Sequence, residues 1–229
     1  MARYATFDKK TLQFLNELAR NNNRDWFNEN KSRYENDVLD VALRFIQSMQ
    51  DPLEGFAPHF TAIPKRMGGS LMRVYRDTRF SKNKTPYKTN IGIQFRHQLG
   101  KDVHAPGFYM HIDPKDCFVG IGLWRPDGPA LLKIREAIVE RRSDWRKITR
   151  AKKFRDTFEL GGDTLVRPPK GFDPEDPDLI DLKRKDFVAV TNFDKSAVTS
   201  DTFVKDIAAT FRASKPFMSF LCRAVDVPF

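Results

Sequence analysis

With 229 residues, 40% of them apolar and 20 of them phenylalanine, the chain can fill the core of one large domain, which excludes a disordered tail over most of its length. No stretch approaches the ~18 consecutive apolar residues that span a bilayer. Net charge is +10, but residues 65–104 carry +8 and residues 132–155 carry +7, leaving −5 for the rest. A positive field focused in this way concentrates anionic partners such as nucleotides, phosphosugars or nucleic acid backbone, although a basic protein also simply has basic faces. The two cysteines, Cys117 and Cys222, show no metal-ligand spacing, and no positively charged start followed by an apolar run precedes Phe7. These features predict a reduced, cytoplasmic protein with no membrane span.

From Asp8 to Arg20, Leu12, Leu15, Leu18 and Ala19 recur at helical spacing behind a capping Asp8, and Asn21-Asn22-Asn23 ends the run. A longer helix is predicted from about Arg24 to Met49, with Phe27, Tyr34, Val38, Val41, Phe45 and Met49 on one stripe and Asp51-Pro52 closing it. Together the two read as an antiparallel helical pair. Residues 53–69 lack periodicity and read as a crossing loop.

Arg73 to Lys88 then packs six cations, one carboxylate, two tyrosines, Phe80 and Pro86 into sixteen positions. It reads as a strand, Leu71 to Asp77, followed by a structured basic loop. Three further strands are predicted at Asn90 to Arg96, Gly107 to Asp113 and Cys117 to Leu123. Because successive strand side chains point to opposite faces, Met72, Val74, Ile91, Ile93, Phe95, Phe108, Met110, Ile112, Val119, Ile121 and Leu123 make one apolar face. The opposite face then presents Arg73, Tyr75, Asp77, Gln94, Arg96, Tyr109 and His111 among Gly92, Gly107, Gly120 and Gly122. Repeated glycine on one face means close approach of something to the backbone, either a ligand or a packed helix.

Beyond the sheet, Pro129 opens a helix buried through Leu131, Ile134 and Ile138, and Ser143 caps a second one whose basic face runs to Arg155. Residues 159–178 are rich in Gly, Pro and acids and read as a loop. Asp186 to Thr191 reads as one more strand, and two helices follow, one capped by Ser200 and one opened by Pro216. Strands joined by short links and bracketed by helices predict a single α+β domain with a mainly antiparallel sheet flanked by N-terminal and C-terminal helices.

The segments Asn21-Asn22-Asn23-Arg24-Asp25-Trp26-Phe27, Arg73 through Lys88, Gly107-Phe-Tyr109 and Gly122-Leu-Trp124-Arg-Pro126 resemble the conserved hypothetical proteins catalogued as domain of unknown function twenty-four sixty-one. The resemblance runs from about Phe7 to near Phe220 with no departure at these motifs. It implies a single domain of about this length and carries no reaction, cofactor or catalytic residue with it.

The chemistry must therefore be read from the side chains. Arg73, Arg76 and Arg79 offer planar forks for phosphate or carboxylate, Lys84 and Lys88 add point charges, and Tyr87, Arg96 and Trp124 complete a candidate ligand-binding set. The competing reading is a structural network in which Asp77 pairs with Arg76 or Arg79 and Tyr87 packs. Asp77, Tyr109 and His111 are the candidate acid and base groups. His97, His104 and His111 lie at irregular spacing without an acidic partner motif, so no metal is expected. There is no P-loop, dinucleotide fingerprint or nucleophile elbow, and no cofactor can be named. The expected partner is a small phosphorylated or otherwise anionic ligand in a basic, glycine-floored pocket. A nucleic-acid module using both basic blocks as one track, and a scaffold for an acidic protein, are the alternatives, and whether any reaction is catalysed stays open.

Overall fold

The structure, a computed structural model, describes residues 7–100 and 105–229. Helix α1 (Lys9–Arg20) is capped by Asp8, whose carboxylate accepts from the Thr11 amide at 3.0 Å, and it buries Thr11, Phe14, Leu15 and Leu18. The long helix expected from Arg24 is instead segmented into α2 (Arg24–Glu29), α3 (Lys31–Tyr34), a π-helical turn (Glu35–Leu39) and α4 (Asp40–Ser48). The break falls at Asn30, whose side-chain amide donates to the Trp26 carbonyl at 2.9 Å, the local competition with helical bonding at which asparagine excels. Pro52 does not end the run either. It sits in the first turn of α5 (Gln50–Glu54), where its missing N–H costs no helical bond.

Six strands, β1 (Phe60–Thr61), β2 (Ile91–His97), β3 (Gly107–Ile112), β4 (Cys117–Leu123), β5 (Glu159–Gly161) and β6 (Phe187–Asn192), form one antiparallel sheet in the order β1-β2-β3-β4-β6-β5. This is the expected α+β class. Helices α6 (Gly128–Glu140), α7 (Arg142–Thr149), α8 (Lys152–Thr157), α9 (Leu179–Leu182), α10 (Phe203–Ala213) and α11 (Lys215–Ala224), with a 3-10 helix at Lys195–Thr199, make up the rest of the regular structure among the described residues. Pro129 lies in the first turn of α6, as the sequence implied, and Asp127 caps the helix. The short strands β1 and β5 were not foreseen, since two- and three-residue runs leave no alternation to detect. β5 lies inside the stretch read as a loop.

One face of the sheet is buried through Ile91, Ile93, Phe95, Phe108, Met110, Ile112, Val119, Ile121, Phe187 and Ala189. Phe211 of α10 packs on both Phe95 and Phe108, with ring centroids at 6.0 and 4.9 Å, and Trp145 of α7 meets Phe187 edge-on at 6.0 Å. The hydrophobic cluster built this way runs without interruption from Phe7 to Ala224.

Leu71 to Asp77 is not a strand. It makes isolated bridges only, Leu71 to Ile93 and Tyr75 to Tyr87, so the segment leaves the sheet after Leu71 and folds back on itself. The Arg76 amide donates to the Pro86 carbonyl at 2.9 Å and the Lys88 amide to the Val74 carbonyl at 2.7 Å. Arg73, Tyr75 and Asp77 consequently do not belong to the sheet face on which the alternation rule placed them. A segment this charged has no apolar face to hold it flat in the sheet.

Candidate functional site

The basic excursion is gripped by the turn between α1 and α2. Asn23 caps α2 by accepting from the Trp26 amide at 3.0 Å, while the Asn22 side chain donates to the Tyr87 carbonyl at 2.9 Å and accepts from the Tyr87 amide at 3.0 Å. Phe27 then stacks on the Tyr87 ring with centroids 4.0 Å apart and 17° between planes. Between α2 and the excursion lies a cleft of about 330 Å³ whose walls carry Arg24, Asn28, Tyr75, Arg76, Thr78 and Tyr87. The Arg76 guanidinium is oriented by the Thr85 hydroxyl and carbonyl, to both of which it donates.

Charge pairing differs sharply along this segment. Arg79 closes a two-pronged pair on Asp77, Nε to Oδ1 at 3.0 Å and Nη2 to Oδ2 at 2.7 Å, and its backbone amide donates to Oδ1 at 3.2 Å. Those bonds hold the Asp77 carboxyl down at about 2, so near neutral pH this candidate acid or base group stands as the ionised partner of Arg79. Lys84 donates to the Thr78 carbonyl at 2.9 Å and stiffens the loop. Among the described residues, Arg24, Arg73 and Arg76 have no carboxylate within ion-pair distance. Lys88 is half-buried and held below its usual range by that burial, with the nearby Arg73 charge adding to the effect.

The second cleft, of about 420 Å³, lies over the other face of the sheet, against Gln94, Tyr109, Phe118, Gly120, Trp124 and Val190. Register brings Gln94, Tyr109, Gly120 and Val190 into one row across β2, β3, β4 and β6, with Arg96, Gly107, Gly122 and Val188 in the adjacent row. Next to it, the Tyr109 hydroxyl stands 3.0 Å from His111 Nδ1, which also faces the Asn90 amide at 3.3 Å. The Asn90 amide nitrogen can only donate, which makes Nδ1 the acceptor nitrogen of the ring. His111 stacks on Phe118 at 4.7 Å and 11°. Burial pushes the Tyr109 hydroxyl up to about 12 and lowers His111, so both are neutral near pH 7. Trp124, 48% exposed, sits at the end of β4 with the Arg125 guanidinium carbon 4.8 Å over its ring.

Of the four glycines on this face, three have reasons internal to the protein. A Cβ on Gly122, whose φ is +117°, would stand 2.0 Å from the Phe187 carbonyl oxygen; one on Gly92 would press on the Tyr109 hydroxyl at 3.0 Å and on Met72 Sδ at 3.1 Å; and one on Gly107 would approach the Phe95 carbonyl at 3.3 Å. Gly120 alone among them opens onto empty space.

The sequence profile of the family described as "Conserved hypothetical protein (DUF2461)" matches residues 10–220. The chain belongs to this family. No curated protein and no solved structure matches it significantly. In this DUF2461 chain the resembling motifs do structural work first: Asn22, Asn23 and Phe27 hold the Arg73–Lys88 excursion, and Gly122 permits the β4–β6 approach. Of the candidate residues, Arg76 and Tyr87 line one cleft and Tyr109 and Trp124 the other, with no lining residue in common, while Arg73, Asp77, Arg79, Lys84, Lys88, Arg96 and His111 line neither. Arg24, Asn28, Phe118, Val188 and Val190 were missed as wall residues. Only Arg24 carried a sequence signal, as the cation within the asparagine-rich motif.

In the second basic block of the DUF2461 chain, Lys133, Arg142, Arg146, Arg150 and Lys152 each meet an acid. Arg142 reaches both Asp176 oxygens at 2.7 and 2.8 Å and also Asp178, Arg146 donates to Asp178 at 2.7 Å, and the buried Arg135 donates to the Leu182 and Arg184 carbonyls at 2.6 and 3.0 Å. His97 is bonded to the Pro228 carbonyl at 2.8 Å, and His104 lies outside the described residues. Among the described residues no helix is long and apolar enough to cross a membrane.

Proposed function

We propose that the protein binds a small phosphorylated or otherwise anionic molecule in the cleft between α2 and the Arg73–Lys88 segment. The observation that carries this reading is the pair of arginines, Arg24 and Arg76, facing one concave site without a carboxylate partner among the described residues, in a structure where Arg79, Arg142 and Arg146 are each paired. Unpaired cations around a cleft are the arrangement that an incoming anion completes. Arg76, already oriented by Thr85, presents a planar fork suited to two phosphate oxygens, with the Asn28 amide and Thr78 hydroxyl as further donors. The internal pairing of the second basic block favours a compact site over a continuous nucleic-acid track. The reading places the protein in the cytoplasm, where its two unpaired, buried cysteines stay reduced.

Calorimetric titration with inorganic phosphate, sugar phosphates and nucleotides tests it. Arg76→Ala and Arg24→Ala should each weaken binding from about tenfold to more than a hundredfold, the loss of one charge-assisted contact, while Lys147→Glu in the second block should change it little. Binding that instead strengthens with oligonucleotide length, and weakens equally in Lys147→Glu, would replace this reading with the nucleic-acid one.

A further inference from the structure

We infer that the cleft over the glycine-bearing face of the sheet is a second binding site, one that takes a flat, uncharged, largely apolar ring compound. Its volume of about 420 Å³ falls in the range of small-molecule sites. In a protein of net charge +10, none of the side chains that line it among the described residues is charged. The neighbouring cations, Arg96 in the adjacent row and Arg125 over Trp124, stand outside this lining, so a charged occupant would surrender its hydration among uncharged side chains, whereas a neutral ring loses only apolar contact with water.

The floor makes the shape argument. A Cβ added to Gly120 would meet nothing within 4 Å, so no protein atom claims the space above it, and a bare backbone there lets a planar ring lie directly against the strand. Phe118, Val188 and Val190 give apolar walls and Trp124 stands at the rim. The polar contribution is small, the Gln94 amide and the Tyr109 phenol; with His111 Nδ1 the acceptor nitrogen, the phenol donates to it and its oxygen is left to accept from an N–H or O–H of the ligand. This site shares no lining residue with the anion cleft and does not depend on it.

The test uses N-phenyl-1-naphthylamine, an uncharged aromatic amine whose fluorescence rises in apolar surroundings, and 8-anilinonaphthalene-1-sulfonate, the same ring system carrying a charge. Expected are saturable one-site binding of the neutral dye, displacement by the sulfonate at least tenfold less effective than by unlabelled neutral analogue, and at least tenfold weaker neutral-dye binding in Gly120→Leu. Val190→Phe, which fills the same space from β6, is the second variant, judged with Gly120→Leu only where melting shows a folded protein. Arg76→Ala should leave the dye untouched, and phosphate binding measured on all variants separates the two sites. Wild-type affinity in a folded Gly120→Leu or Val190→Phe protein, equal displacement by the sulfonate, or no saturable binding of the neutral dye overturns the inference.

Discussion

Replacing Asn22 by alanine should destabilise the protein far more than its place in a run of three surface asparagines suggests. The Asn22 side chain supplies both hydrogen bonds to the Tyr87 backbone, 2.9 Å to the carbonyl and 3.0 Å from the amide, and Tyr87 is only 4% exposed. Truncation leaves one buried donor and one buried acceptor without partners. Each such orphan costs about 1 to 3 kcal/mol, and the partial exposure of Asn22 admits some water, so about 2 to 4 kcal/mol is expected in total. For a chain of this size that corresponds to a fall in melting temperature of roughly 4 to 16 °C. Asn21→Ala is the control, since the Asn21 side chain donates only to the Glu17 carbonyl at an exposed position and its loss should cost about 0.5 kcal/mol. Urea and thermal melts of both variants decide the matter. Phosphate titration adds a second readout, because the clamp holds the wall that carries Tyr75 and Tyr87. A melting temperature for Asn22→Ala within about 1 °C of wild type would refute the reasoning, and with it the assignment of this motif as the clamp on the basic excursion.

The glycines of the sheet should separate cleanly: Gly122→Ala forces a Cβ to 2.0 Å from the Phe187 carbonyl at positive φ and is expected to cost more than about 3 kcal/mol or prevent folding, whereas Gly120→Ala, facing open space, should melt within a few degrees of wild type. Acid stability carries the mark of Asp176, which is 10% exposed and held at about 2 by Arg142, below its ordinary 3.8. Because the folded value is the lower one, its contribution is present above pH ~4 and is lost as pH falls toward 2; the loss is at most about 2 kcal/mol and should disappear from the pH dependence of Asp176→Asn measured by urea melts. The Asp77–Arg79 pair, by contrast, is exposed, so Asp77→Asn should shift the melting temperature by no more than about 2 °C, and a larger fall would mean that the pair organises the loop.

What the sequence determined by itself was the part written in short-range pattern. The period-two alternation in β2, β3 and β4 assigned their buried and open faces correctly, because strand side chains must alternate whatever lies above them. The Asp8 cap was visible for the same reason, as a local hydrogen bond across three residues, whereas Ser143, read as a cap, lies inside α7 and Ser200 stands two residues before the Thr202 cap position of α10. The motif from Arg73 to Lys88 announced itself by charge density, and the two positive blocks by counting. Only the tertiary structure decided what those charges meet. Arg142 and Arg146 find Asp176 and Asp178 more than thirty residues away, while Arg24 and Arg76 converge on one cleft with no carboxylate at ion-pair distance among the described residues. Composition treats all four alike, since a cation's role depends on the distance to its counter-charge, and chain folding sets that distance. Glycine illustrates the same limit: four on one sheet face looked like a common floor, yet Gly92, Gly107 and Gly122 answer to contacts with Met72, Phe95 and Phe187, and Gly120 alone is left open. A missing side chain leaves no trace in sequence of what occupies its place, because that is settled by which atoms the fold brings within a few ångströms.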